Sequence, residues 1–200
     1  MMNEIDTVLQ FCFGELDADG RADAEHSARW WKKDQPFDAQ IRTRFGELHA
    51  AVARGEREHW LESDRGCLAY VIVLDQFSRN MFRGTGQAFA YDAAALRAAL
   101  AALARGVDQR LGPDGRSFLY MPLMHSEDIA VQERCVDLFA TLGQTAEGTR
   151  QEAAASALSY AERHRDIVKR FGRFPHRNAL LGRESTPEEL EFLTQPGSSF

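Results

Sequence analysis

Apolar residues recur along most of this chain at steps of three and four, the repeat of a helix that buries one side. Residues 36–55, PFDAQIRTRFGELHAAVARG, are the clearest case. Phe37, Ile41, Phe45, Leu48 and Val52 form one stripe, Pro36 suits a first helical turn and Gly55 suits a stop. Residues 64–84, DRGCLAYVIVLDQFSRNMFRG, carry Cys67, Leu68, Val71, Ile72 and Leu74 on a wider apolar face. Their β-branched run would also suit a strand, but the helical pattern and polar flanks favour a helix. Residues 86–106, GQAFAYDAAALRAALAALARG, are rich in the strongest helix formers and end on Gly106. A turn-rich stretch, DQRLGPDGRS, separates them from a helix expected after Ser126, EDIAVQERCVDLFATLG. Further helices are expected from near Thr149 to Phe171, stopped by Gly172, and briefly after Thr186. The least regular interval is DADGRADAEHSARWWKKD, where Trp30 and Trp31 are expected to anchor the chain on the core.

No segment alternates as a strand, and no linker, low-complexity tract or exact repeat divides the chain. The expectation is an all-α fold of antiparallel helix pairs joined by short turns, one domain over residues 1–200. A chain of 200 residues buries roughly 70% of its unfolded surface, so it needs no metal or disulfide to fold. Cys12, Cys67 and Cys135 are far apart among apolar neighbours and read as small buried hydrophobes in a reducing compartment. The net charge of −6 argues against nucleic-acid or membrane-surface partners. The acidic start MMNEIDTVLQFCFG is unlike a signal peptide, and the longest apolar stretch falls short of the ~20 residues of a membrane span. A cytoplasmic location is expected.

Against that acidic background one stretch is basic. HRDIVKRFGRFPHRN, His164–Asn178, sets Arg165, Lys169, Arg170, Arg173, Arg177, His164 and His176 against the single carboxylate of Asp166. Only Lys32, Lys33 and Lys169 among the 24 basic residues are lysines, so clustering, not arginine abundance, carries the argument. His164, Ile167, Val168 and Phe171 share a helical face, and Asp166 can pair with Arg170 one turn on. Pro175 biases Phe174 to extended backbone, leaving Arg173, His176, Arg177 and Asn178 on non-helical chain. Arginine forks bind carboxylate or phosphate through two parallel bonds. The alternative use of the same residues is an internal staple onto acids such as Asp75 and Glu127.

Two other stretches bear on this. In LDQFSRNMFRGT, Asp75 and Arg79 are four apart and can pair, at least one of Asp75 and Gln76 points inward, and Arg79, Asn80 and Arg83 crowd a helix end. In FLYMPLMHSEDIAVQE, Pro122 is expected to break the chain, Ser126 to cap the next helix, and Glu127 and Asp128 to occupy its first turn. That leaves His125 as a candidate acid–base group. In GRESTPEELEFL, Thr186, Pro187 and Glu189 form a capping box. His125, His164 and His176 lack metal-ligand spacing and have guanidinium neighbours, so no metal is expected. No phosphate loop, dinucleotide fingerprint or nucleophile elbow is present, and no cofactor is expected.

These stretches, from VLQFCFG to STPEELEFL, resemble the bacterial family called domain of unknown function 924. Cys12 stands where the family commonly has tryptophan, and Ser78 where it commonly has proline. The resemblance implies an all-helical fold of tetratricopeptide-like superhelical type and no established activity. It places Asp75, Arg79, Asn80, Arg83, His125, Glu127, His164, Asp166, Arg173, His176, Arg177, Asn178 and Arg183 in family motif positions. The reading from the residues is an Arg/His pocket for a small anionic ligand, phosphate or carboxylate bearing. In it, Arg173, Arg177 and Arg79 or Arg83 clamp the anion, and His125, His164 and His176 are candidate proton donors. Asp75, Asn80, Glu127 and Asn178 complete the candidate ligand contacts. Two other uses stay open: a scaffold holding an acidic peptide, and an internal ion-pair network.

Overall fold

The computed structural model describes residues 3–30, 32–144 and 150–199. Trp31 and Thr149 lie outside the described residues. Among the described residues the secondary structure is helical, with no strand. In chain order the α-helices are α1 (Glu4–Phe13), α2 (Ala24–Ser27), α3 (Gln35–Ala53), α4 (Asp64–Ile72), α5 (Ser78–Met81), α6 (Asp92–Ala104), α7 (Pro113–Met124), α8 (Ile129–Gln144), α9 (Arg150–Phe171) and α10 (Pro187–Leu193). Short 3₁₀ turns link several of them. None of these helices is long and apolar enough to cross a membrane.

Contacts divide the chain into two compact units. One comprises Met1–Arg83 with Gln87–Pro122, the other Gly84–Gly86 with Leu123–Phe200. In the first unit, α3 buries Ile41, Phe45 and Val52 of its stripe and half-buries Phe37 and Leu48. It packs against α5 and the turn before it. Residues 64–81 are helical throughout, as expected, but α4 passes into α5 through a π-turn at Val73–Phe77. One extra residue in a helical turn rotates the rest of the helix about its axis, and nearly every side chain from Gly66 to Ser78 is buried. Phe77 meets Phe45 at 4.8 Å between ring centroids and Phe11 at 6.0 Å. Trp30 packs edge-on against Phe118 and Phe13, and its indole N–H donates to the Cys12 carbonyl at 2.7 Å, so it anchors on the core.

In the second unit α8 packs along α9. The α9 stripe is buried at His164, Ile167 and Val168, with Phe171 half-buried against Phe192 of α10. Gly172 ends α9 with a left-handed φ of 69°, and its N–H reaches back to the Val168 carbonyl. Phe174 is then extended (φ −93°, ψ 106°) and fully buried. Thr186 and Glu189 form the full capping box of α10.

Three local expectations fail. Pro122 does not end its segment but lies inside α7, where it forgoes one backbone hydrogen bond near the helix end. Ser126 does not cap α8. The cap is Asp128, whose carboxylate accepts from the N–H groups of Ala130 (2.8 Å) and Val131 (3.3 Å). The segment after Phe174 is not loop: Pro175–Arg177 form a 3₁₀ turn.

Candidate functional site

The predicted residues of the first unit are all engaged with internal carboxylates. Asp75, in the π-turn, is fully buried. A buried carboxylate needs partners, and Asp75 has Arg79 at 3.1 Å and the Gln76 amide at 2.6 Å. Arg79 also holds Asp92 through two parallel bonds of 2.9 and 3.0 Å. Arg83 grips Asp38 in the same way, at 2.6 and 2.8 Å, and Asn80 donates to Asp38 at 2.7 Å. Burial alone would raise the Asp38 carboxyl, yet Arg83 and Asn80 hold it below its ordinary range.

In the second unit Arg173 donates to both oxygens of Glu189, each at 2.7 Å, and to the Glu184 carbonyl. That contact, with the Thr186 N–H and the Asn178 amide, holds the Glu189 carboxyl down at about 2. Glu127 is freed from the α8 cap to bind Arg183 at 2.7 and 3.0 Å and to accept from the Phe174 N–H at 2.8 Å. Burial opposes its ionised form, but Arg183 and that N–H keep its pKa low. Asp166 does not pair with Arg170. It takes Arg165, its neighbour, while Arg170 reaches Glu188. Arg79, Arg83 and Arg173, expected as anion clamps, are thus braces onto the protein's own acids.

The remaining predicted residues gather in one place. His125, at the end of α7, lies 6.2 Å from His164 of α9, ring centroid to ring centroid. His164 meets the edge of Phe174 at 5.6 Å, and Phe174 meets His176 at 5.7 Å. Arg177, 6% exposed, lays its guanidinium over the Phe174 ring at 4.4 Å. His164, His176 and Arg177, from α9 and the 175–177 turn, thus gather about Phe174, and His125 from the end of α7 lies beside His164. His164 is buried, and its Nδ1–H donates to the Tyr160 carbonyl at 2.7 Å, so Nε2 carries the lone pair. Burial pushes its pKa down to about 3, with the charges of His125, Arg177 and His176 adding to the push. His164 is thus neutral at ordinary pH, inside a positive field.

With this geometry in view, the comparison with known sequences is direct. Residues 8–197 match the profile of the family described as bacterial protein of unknown function (DUF924). The chain belongs to the DUF924 family. A solved structure, of the protein of unknown function ATU0120 from Agrobacterium tumefaciens, is similar at 46% identity with a TM-score of 0.75. The similarity covers 83% of this chain and 88% of that one. No curated protein matches the chain.

Some residues of this DUF924 protein's polar networks do not stand out in the sequence. Asp38 and His49 stand on the α3 face beside Ile41, Phe45 and Val52, and both are buried. Their helical spacing within the apolar stripe is the available signal. Asp92 and Gln132 have none. His49 Nε2 lies 2.8 Å from Ser78 Oγ, and that hydroxyl donates to the Leu74 carbonyl at 2.6 Å. Ser78 has no second proton to give, so Nε2 is the donor and the pair is not an activated serine. Cys12, Cys67 and Cys135 are buried free thiols, and burial raises the pKa of each. Among the described residues no three His, Cys, Asp or Glu side chains converge as metal ligands.

Proposed function

We propose that this protein binds a small oxyanion, phosphate or carboxylate, at the cluster formed by His125, His164, His176 and Arg177 around Phe174. The observation that carries this reading is the field at His164. Burial keeps that imidazole neutral, and His125 from the end of α7 and His176 and Arg177 from the 175–177 turn bear on the same spot. Grouped cations of this kind favour an anion, and a guanidinium backed by an aromatic ring is oriented before the ligand arrives. Arg177 provides the fork, and His125 and His176 the titratable donors. Arg79, Arg83 and Arg173, counted as clamps or alternatives from the sequence, hold carboxylates instead. For any turnover at the site, His125 and His176 are the candidate proton-transfer groups.

Thermal unfolding with and without millimolar phosphate tests the reading. Ligand bound only to the folded state raises the melting temperature. The wild type should show that rise, and Arg177→Ala should fold without it. No rise in the wild type, together with a large stability loss in Arg177→Ala, would reduce Arg177 to a brace.

A second reading draws on Leu180, Leu181 and Leu190, large apolar side chains left exposed in the same unit. It makes the protein a tetratricopeptide-like scaffold that holds an acidic peptide against the basic cluster. Tight binding of an acidic, leucine-containing peptide with no response to free phosphate would favour it.

A further inference from the structure

The stretch between α1 and α2, residues 14–23, forms one wall of a groove of about 410 Å³ in the first unit. Leu16 and Gly20 line it from that stretch, and Leu9, Phe13, Leu68 and Leu111 from the body. The stretch is a preformed turn. Asp17 Oδ1 accepts from the N–H groups of Asp19 and Arg21, at 2.9 and 3.0 Å, and the Gly20 N–H donates to the Asp17 carbonyl. Gly14 opens it with a left-handed φ of 64°, which glycine adopts at little cost. Gly20 crosses the chain at Gly112 so closely that a side-chain carbon there would stand 2.8 Å from the Gly112 Cα.

Its fastening to α7 leaves charge poorly satisfied. The Ala22 N–H donates to Asp114 Oδ2 at 2.8 Å, in a half-buried place. A carboxylate drawn out of water needs a cation or several donors. Among the described residues Asp114 has no ion pair, and the nearby Arg21 does not supply one: its Nε is buried without a hydrogen-bond partner. Lifting the stretch returns both groups to water.

We propose that residues 14–23 are a strap over this groove and that the charge on Asp114 sets its position: neutral Asp114 keeps the strap down, and ionised Asp114 loosens it. Burial raises the Asp114 carboxyl above its ordinary range, against the Ala22 N–H and Arg21, which lower it, and Asp17 adds to the rise. The closed strap therefore holds the proton more tightly than the open one. That hold is complete below the ordinary carboxylate range and is lost as pH rises through the raised value. Arg65, which faces the same groove from α4, is paired with Asp6 at 2.7 Å. His26, beside the end of the strap, pairs with Asp23 at 2.8 Å.

Amide hydrogen exchange at Ala22, followed by NMR and corrected for the intrinsic pH dependence of exchange, reads the opening. From pH 5 to 7.5 the opening equilibrium at Ala22 in the wild type should grow by about threefold or more, while Ile41 and Val52 in α3 do not open further. Asp114→Asn keeps an acceptor for the Ala22 N–H and removes the charge. It should flatten the pH dependence and leave Ala22 better protected than in the wild type at pH 7.5. The Asp23–His26 pair is present in both chains, so the comparison isolates Asp114. Ala22 protection that does not fall with rising pH, or falls only in step with Ile41 and Val52, would overturn the strap. So would an equal slope, or weaker protection, in Asp114→Asn. Should that variant fail to fold, the same series in His26→Gln decides: a slope that survives there belongs to Asp114, and a slope that vanishes overturns the proposal.

Discussion

His164 brings a basic nitrogen to a place where a proton is unwelcome. Unfolded, an imidazole takes its proton near pH 6.5; in the folded chain His164 waits until about 3. Between those values the unfolded state binds more protons. Stability that is intact above pH 6.5 is therefore lost as pH falls through the window, by up to about 1.4 kcal/mol per pH unit. Glu189, held at about 2 against an ordinary 4.5, acts in the same direction but only below 4.5. Urea unfolding of the wild type at pH 6.5, 5.5 and 4.7 should show stability falling with pH, and His164→Gln should show a shallower fall. His49, whose pKa burial also lowers, leaves a residual slope. An equal slope in the variant would mean that His164 does not stay neutral. The position of His164 on the apolar side of α9 is readable from its spacing to Ile167 and Val168. Its company is not, since Phe174, His176 and Arg177 reach it through the turn after Gly172, and His125 from the end of α7.

At the scale of elements, the caps separate what local sequence can say from what it cannot. Thr186 and Glu189 lie three apart, and a capping box closes within one turn, so α10 is legible. At α8 two capping side chains stand two residues apart, and local sequence favours Ser126 over Asp128. The arbiter is Glu127, drawn to Arg183, 56 residues further on. Asp128→Ala should cost about 1 kcal/mol in chemical unfolding, the usual loss of a cap, and Ser126→Ala a few tenths. The reverse order would restore Ser126 as the cap. The run from Asp64 to Met81 reads as one helix, and it is helical throughout. The π-turn within it is not visible, because one inserted residue leaves an almost unbroken apolar run looking the same. Within that run Asp75 and Arg79, an i,i+4 pair, meet at 3.1 Å. Removing Arg79 should leave Asp75 buried without its cation, and Arg79→Ala should lose about 3 kcal/mol or more in the same unfolding measurement.

Across the molecule, most of the motif arginines are braces. Those at positions 79, 83, 173 and 183 are committed in pairs to Asp92, Asp38, Glu189 and Glu127. Arg177 lies over Phe174 among histidines. A sequence shows which residues are basic but not which acids face them, so a single basic pocket is the natural inference, whereas four of these arginines have separate carboxylate partners. The six histidines allow both units to be watched at once. His26, His49 and His59 belong to the first unit, and His125, His164 and His176 to the second. Histidine side-chain NMR signals tracked during a phosphate titration report on all of them together. The signals of His125 and His176 should move in a saturable way while those of His26, His49 and His59 stay in place. If the cluster's signals stay still, or all six drift together without saturation, the basic cluster is not an anion site.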